Sequence, residues 1–142
     1  MPVRKASAEW NGNLVNGKGS VSTESKTLDN TQYNFSSRFE SGIGTNPEEL
    51  VGAAHAACFS MALANSLAKG GFNPISVKTE DNVHIEKLET GLKITKIVVN
   101  CVANVEGIDN ETFQKFAEDT KVGCIVSQAL KGTEFILSAK LV

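Results

Sequence analysis

The residues best suited to chemistry in this chain are its three cysteines, Cys58, Cys101 and Cys124. An odd number argues against a scaffold of structural disulfides, so each thiol either packs in a core or performs redox, nucleophilic or metal chemistry. Cys101 alternates with apolar residues along a predicted strand, which favours packing. Cys58 and Cys124 are therefore the candidates for a reactive thiol.

Each candidate thiol has a possible activating neighbour. Cys58 lies inside a predicted apolar helix, where burial alone favours an inert thiol, so it needs a base or a cation nearby. His55 is three residues earlier and within side-chain reach, and Arg38 lies on a predicted strand before a glycine-containing loop. Cys124 follows Gly123 and opens a short predicted helix, whose N-terminus either favours an ionised thiol or is simply capped by it.

Two carboxylates, Glu48 and Glu49, fall in the first turn of the long helix. Glu49 completes a predicted capping box with Asn46, whereas capping does not require Glu48. Ten residues separate Glu48 from Cys58, which is about 15 Å of rise along a straight helix. Unless the helix breaks between them, a cluster of Glu48, Arg38 and Cys58 would therefore combine residues of two chains, at a dimer interface.

Other known site motifs have little support in this sequence. There is no CxxC, HExxH, GxGxxG or Walker motif, and the two histidines cannot form a His-rich metal site. A zinc site of Cys58, Cys124 and His55 lacks a recognisable ligand spacing, and a Cys–His hydrolase lacks a third group to orient its base. We expect no metal and no cofactor.

The composition sets the class of protein. The chain has 142 residues, 41% hydrophobic and 21% charged, which predicts a single globular domain over 1–142. A net charge of −2 argues against a nucleic-acid partner. No run approaches 18 apolar residues and the N-terminus has no signal-peptide pattern, so we expect no membrane partner and a cytoplasmic location.

The order of elements predicts a segregated α+β fold. The patterns predict, in chain order, strands at 6–10, 20–23 and 33–39, a long helix capped by Asn46 and ending near Lys69, strands at 75–85 and 93–105, helices at 109–123 and 124–131, and a last strand around 135–141. The long helix is apolar on more faces than one small sheet can cover. A second copy would supply that cover, so we predict a homodimer with an extensive apolar interface.

Several long motifs resemble one known family. They are RFE at 38–40, GTNPEEL at 44–50, GAAHAACFSM at 52–61 and VGCIVS at 122–127. Together they resemble the OsmC/Ohr family of thiol peroxidases over essentially the whole chain. GKG at 17–19, STES at 22–25 and GID at 107–109 resemble its osmotically inducible OsmC branch. The resemblance implies an OsmC/Ohr-like fold, with antiparallel sheets wrapped around a long central helix in an intertwined homodimer.

The resemblance also implies residue roles. Cys58 would be the peroxidatic nucleophile, Cys124 the resolving cysteine, Glu48 the catalytic carboxylate and Arg38 the cation beside the thiolate. The thiolate would attack the O–O bond of an organic hydroperoxide, or more weakly of hydrogen peroxide, and become a sulfenic acid. Cys124 would condense with it to a redox-active disulfide. An external dithiol, such as the dihydrolipoyl group of a lipoylated protein, would then reduce that disulfide in antioxidant defence.

Glu49 and His55 are expected to support this site. From composition, we expect an apolar channel that favours organic hydroperoxides, lined by residues such as Phe39, Phe59, Met61 and Leu63. The alternative is a non-catalytic module, in which the same apolar interface binds an acyl or aromatic ligand and the cysteines only pack.

Overall fold

Tight turns divide the first part of the chain into strands. The computed structural model describes all 142 residues and divides into two units, 1–50 and 51–142. In the first unit, β1 (Ala6–Asn11), β2 (Lys18–Thr23) and β3 (Thr31–Tyr33) form an antiparallel sheet in that order. The predicted strands at 6–10 and 20–23 are confirmed.

The predicted strand at 33–39 is wrong beyond its first residue. After β3 the chain forms a short helix, α1 (Phe35–Phe39), which carries Arg38. Asn34 begins it with a capping box, because the Asn34 side chain accepts a bond from Ser37 N at 2.8 Å and the Ser37 hydroxyl accepts one from Asn34 N at 2.9 Å. The alternation of aromatic residues misled the prediction, since Phe35 and Phe39 are also one helical turn apart and their rings lie 5.0 Å apart.

The long helix, α2 (Pro47–Lys69), has the predicted bounds. The Asn46 side chain accepts a bond from Glu49 N at 2.8 Å, which satisfies one of the free N–H groups of the first turn. By length and composition alone α2 could cross a membrane, but the core helices of soluble proteins meet the same criterion. The most apolar 18-residue window of α2 has a mean hydropathy of 1.4, yet only 28% of it is buried within this chain.

The second unit contains a sheet of three strands and two further helices. The strands β4 (Asn73–Leu88) and β5 (Gly91–Glu106) form a long antiparallel hairpin, and α3 (Asn110–Gly123) and α4 (Ile125–Ala129) precede β6 (Glu134–Leu141). The α+β class is confirmed. One detail differs: β6 pairs with β5 in parallel, so this sheet is mixed. A parallel return needs a long crossover, which α3 and α4 supply.

One face of this sheet carries the core. Phe59, Leu63 and Leu67 of α2 pack with alternate residues of β5 and with Phe113 of α3. Cys101 is 1% exposed among them, and burial raises the pKa of its thiol while a hydrogen bond from Thr79 partly opposes that effect. The packing role predicted for Cys101 is confirmed.

Candidate active site

Arg38 and Glu48 form a two-pronged ion pair in the first unit. Arg38 Nη2 lies 2.7 Å from Glu48 Oε1, and Arg38 Nε lies 3.0 Å from Oε1 and 3.3 Å from Oε2. The Glu48 side chain is 9% exposed and that of Arg38 is 39% exposed. This fork uses one edge of the guanidinium. The Nη1 group makes no hydrogen bond within the chain, so it remains available to a second anion.

Hydrogen bonds to backbone carbonyl groups hold this pair in position. The Ser37 hydroxyl donates to Thr45 O at 2.8 Å, and the Asn46 amide donates to Ser37 O at 3.1 Å, so the helix of Arg38 is fixed to the start of α2. The chain between them passes close to β3, where Thr45 N donates to Gln32 O at 2.9 Å. Gly44 has φ +125°, and a Cβ there would lie 2.6 Å from Gln32 O. Only glycine fits this turn.

Glu49 has a different role from Glu48. Its carboxylate accepts a bond from the Thr45 hydroxyl at 2.5 Å, instead of reaching back to the backbone of Asn46 as a complete capping box would. It makes no contact with Arg38. Glu49 therefore stabilises the entry to α2, and Glu48 alone orients the guanidinium.

An aromatic cavity lies beside Arg38. The Arg38 guanidinium carbon stands 5.0 Å from the ring centre of Phe39, and the rings of Trp10 and Tyr33 are 5.5 Å apart. The cavity has a volume of about 280 Å³ and is lined by Trp10, Leu14, Tyr33, Asn34, Phe35, Arg38 and Phe39. Phe39, one of the residues expected in an apolar channel, therefore lines a cavity beside Arg38.

The other three channel residues have different surroundings. Phe59 and Leu63 are 0% exposed and belong to the core of the second unit, so their side chains offer no surface to a substrate within this chain. Met61 is 76% exposed. The expectation failed for Phe59 because an apolar residue beside Cys58 can face either the sheet or the outside of a helix. Cys58 itself is half-buried and carries a free thiol.

His55 does not support Cys58 in the way we expected. The imidazole is fully buried, with Nδ1 bonded to Asp81 Oδ2 and Nε2 lying 2.9 Å from Ser127 Oγ. Both ring nitrogens are thus engaged, and neither is free to act as a base for Cys58. The same contacts argue against a Cys58–His55 hydrolase pair.

Cys124 is the N-cap of α4. Its sulfur accepts a bond from Ser127 N at 3.4 Å and lies 3.2 Å from Ser127 Oγ. The thiol therefore caps α4, and it is 3% exposed. Because Ser127 contacts both Cys124 and His55, one hydrogen bond joins the α2 segment that carries Cys58 to the α4 segment that carries Cys124.

Asp81 and Ser127 belong to this arrangement and were not predicted from the sequence. Asp81 follows Val77 and Thr79 on the inward face of β4, where the alternating pattern calls for an apolar residue. A charged residue at such a position signals a buried partner. Ser127 was visible in the VGCIVS motif, but nothing in its spacing predicted a contact with His55, 72 residues away. The structure contains no group of three or more His, Cys, Asp or Glu residues that could hold a metal ion.

Comparison with known proteins identifies the family. A family profile described as OsmC-like protein matches residues 40–138. The chain belongs to the OsmC-like protein family. This OsmC-like chain is 50% identical over 128 residues to "Peroxiredoxin OsmC" of Escherichia coli K12, and the match covers 90% of each protein. The resemblance noted from the motifs is thus confirmed.

More distant relatives agree on the fold. The chain is 32% identical over 114 residues to "Organic hydroperoxide resistance protein OhrB" of Bacillus subtilis, covering 80% of this chain and 82% of that one. The crystal structure of OhrB matches with a TM-score of 0.70 over 97% and 98% of the two chains, at 24% identity. A structure titled organic hydroperoxide resistance protein OsmC, from Legionella pneumophila, matches at TM-score 0.72, 22% identity and 99% coverage of both. These two structures confirm the OsmC/Ohr-like fold.

Proposed function

We propose that this OsmC-like protein is a thiol peroxidase that reduces organic hydroperoxides to alcohols and hydrogen peroxide more weakly. The peroxide-reducing activity rests on the named relatives, above all the peroxiredoxin that is 50% identical over 90% of the chain. The observation that carries the residue roles is the bond between His55 and Ser127, which holds the two cysteine segments together. Cys58, half-buried on its helix, is the nucleophile, and Cys124 is the resolving cysteine.

The Arg38–Glu48 pair supplies the cation for the reaction. Glu48 fixes one edge of the guanidinium and leaves Nη1 for the Cys58 thiolate or the peroxide oxygen. The thiolate attacks the terminal oxygen of ROOH, so that an S–O bond forms as the O–O bond breaks and Cys58 becomes a sulfenic acid. The departing RO⁻ takes a proton from solvent to become the alcohol. The guanidinium stabilises the negative charge as it moves from sulfur to the leaving oxygen.

A homodimer brings these groups together. Glu48 and Cys58 lie on the same unbroken helix, ten positions apart, which is about 15 Å of rise. We therefore place the Arg38–Glu48 pair of one chain beside Cys58 of the other. The apolar residues that α2 leaves exposed, such as Met61, and the 81% exposed Ile125 at the start of α4 are the surfaces that a second copy would cover.

The aromatic cavity beside Arg38 is the site for the apolar part of the substrate. Its volume of about 280 Å³ suits a group of cumyl or short acyl size, and its rings favour such groups over hydrogen peroxide. Phe39 is the member of the cavity that lies against the guanidinium.

An external dithiol completes the cycle by reducing the Cys58–Cys124 disulfide. A surface cavity of about 280 Å³ reaches Ser127, which contacts the Cys124 sulfur, and Lys121 and Lys131 lie at its edge. Lys121 is paired with Glu118 at 2.9 Å, whereas Lys131 has no ion pair. A dihydrolipoyl group carried by an acidic protein would suit this surface. The odd number of cysteines suits a reducing compartment such as the cytoplasm, where structural disulfides are rare.

Turnover assays test this function. The wild type, with dihydrolipoamide, should consume cumene hydroperoxide, and Cys58→Ser should lose that activity. Cys101→Ala is the matched control, since it removes a thiol that only packs and should retain turnover. Activity retained by Cys58→Ser would remove Cys58 from the mechanism. The alternative of a non-catalytic binder has no observation in its favour, and it predicts no consumption by any of the three proteins.

A further inference from the structure

Four side chains form a continuous hydrogen-bonded series in the second unit. Asp81 Oδ2 contacts His55 Nδ1, His55 Nε2 lies 2.9 Å from Ser127 Oγ, and Ser127 Oγ lies 3.2 Å from Cys124 Sγ. The side chains of His55 and Asp81 are 0% and 1% exposed. The series, which we call the His55 relay, ends on one of the two sulfurs that the proposed function uses.

With a neutral imidazole and an ionised Asp81, the chemistry of the groups gives the relay a direction. A carboxylate can only accept a hydrogen bond, so His55 Nδ1 donates to Asp81 and Nε2 is left as an acceptor. The Ser127 hydroxyl then donates to Nε2 and accepts from the Cys124 S–H. The path from the thiol to the imidazole is therefore complete, with a donor and an acceptor matched at each step.

We infer that Ser127 and His55 accept the proton of Cys124 when Cys124 attacks the sulfenic acid of Cys58, an inference that rests on the proposed function. The Cys124 S–H bond breaks, its proton passes to Ser127 Oγ, and the Ser127 hydroxyl proton passes to His55 Nε2. The Cys124 sulfur attacks the Cys58 sulfur, the S–S bond forms, and the S–OH bond breaks to release hydroxide. Cys124 is oxidised and the sulfenic sulfur of Cys58 is reduced.

The protons balance without another reagent. The hydroxide takes a proton from solvent to become water, and His55 later returns its proton to solvent. While the proton is on His55, the relay reverses: Nε2 donates to Ser127, and the Ser127 hydroxyl and backbone N–H both donate to the Cys124 thiolate. Every contact in the relay is thus a hydrogen bond both before and after the transfer.

The surroundings of His55 suit this role. Asp81 is the charged group that faces the ring. From β6, Phe135 stacks on the ring at 4.6 Å, and Phe59 of α2 lies at 6.0 Å. The Asp81 carboxylate therefore balances the imidazolium in an otherwise apolar setting. Asp81 Oδ1 is buried without a partner in the chain, so the carboxylate depends on His55. Ser127 is a catalytic residue, because it touches the reacting sulfur, and His55 and Asp81 are positioning residues.

The competition between trapping and resolution tests the inference. Reduced protein receives one equivalent of cumene hydroperoxide together with dimedone, which traps a sulfenic acid, and mass spectrometry gives the ratio of dimedone-modified Cys58 to Cys58–Cys124 disulfide between pH 6 and 9. The variants are Ser127→Ala, Asp81→Asn and the restoring substitution Ser127→Thr. His84→Gln is the matched control, since His84 is exposed on β4 and lies outside the relay.

The expected result is a pH-dependent loss of resolution, the step in which Cys124 converts the Cys58 sulfenic acid to a disulfide. At pH 6.5, Ser127→Ala should raise the trapped fraction relative to disulfide by at least about tenfold. The loss should shrink toward pH 9, because hydroxide in solution can then take the Cys124 proton in place of the relay. Asp81→Asn keeps the side-chain shape and should show a several-fold loss with the same trend. Ser127→Thr should restore resolution, and His84→Gln should match the wild type.

Two results would overturn the inference while leaving the proposed function intact. One is a wild-type ratio in both Ser127→Ala and Asp81→Asn. The other is a loss that is equal at all pH values, which indicates only a displaced sulfur. A wild-type protein that forms no Cys58–Cys124 disulfide would instead contradict the proposed function itself, and the inference with it.

Discussion

Breaking the Arg38–Glu48 pair from its two sides should have unequal effects on stability. Removing the cation with Arg38→Met leaves a carboxylate that is 9% exposed and loses all three of its contacts. A buried charge left without its partner typically costs 3–5 kcal/mol. Because Glu48 keeps a little access to water, we expect a loss of about 2–3 kcal/mol in the free energy of unfolding.

Removing the anion should cost less. In Glu48→Gln the amide oxygen can still accept a bond from Arg38 Nε, and the guanidinium, 39% exposed, can be hydrated. We expect a loss of about 0.5–1 kcal/mol, which is in the range of exposed ion pairs. Arg38→Lys should fall between the two, because it keeps the charge and loses the fork.

Urea unfolding followed by fluorescence measures the difference. Trp10 is the single tryptophan and lies in the same 1–50 unit as the pair. All proteins should be compared at one protomer concentration, since dimerisation would otherwise change the apparent stability. Arg4→Met is the matched control, because Arg4 is exposed and has no ion pair. Equal losses for Arg38→Met and Glu48→Gln, or a larger loss for Glu48→Gln, would refute the argument from burial.

Three further predictions concern other parts of the chain. Hydrogen bonds from the backbone and then the hydroxyl of Thr112 hold the pKa of Asp109 below its usual value. The ionised carboxyl therefore stabilises the fold above about pH 3.9 and loses this effect as the pH falls. In Asp109→Asn the free energy of unfolding should depend less steeply on pH below that value. An unchanged pH dependence would contradict this. Burial raises the pKa of Cys101, so iodoacetamide at pH 7.5 should label Cys101 only after unfolding, and labelling of the native protein would count against it. We propose that 1–142 folds as one domain, so Trp10 fluorescence and far-UV circular dichroism should give coincident urea transitions, whereas separate midpoints would divide the chain at its two units.

The sequence predicted the elements whose signals are local. The bounds of α2 followed from Asn46, Pro47 and the glycines after Lys69, since capping and termination act within a single turn. The β4–β5 hairpin followed from alternation on both sides of one turn. Most of that alternation is observed, but a register shift between Pro74 and Ser76 leaves Ile75 56% exposed. A bulge of this kind has no sequence signal of its own.

The errors had two sources. At the helix of Arg38 the signal was local but ambiguous, because Phe35 and Phe39 fit both the alternation of a strand and one turn of a helix. The other errors arose where distant contacts decide the structure. The parallel pairing of β6 depends on where the crossover returns. The surroundings of His55 depend on Asp81 and Ser127, which lie 26 and 72 residues away in the chain. The motifs predicted that His55 belongs to the site, but only the structure shows that it points towards the Cys124 segment.

The disulfide that forms after one oxidation is the most direct test of the proposed roles of Cys58 and Cys124. Reduced wild-type protein should be treated with one equivalent of cumene hydroperoxide, digested, and analysed by mass spectrometry under conditions that prevent thiol exchange. The predicted product is a single disulfide linking Cys58 to Cys124, with Cys101 recovered as a free thiol. A disulfide that includes Cys101, or oxidation that leaves Cys58 unmodified, would contradict the account.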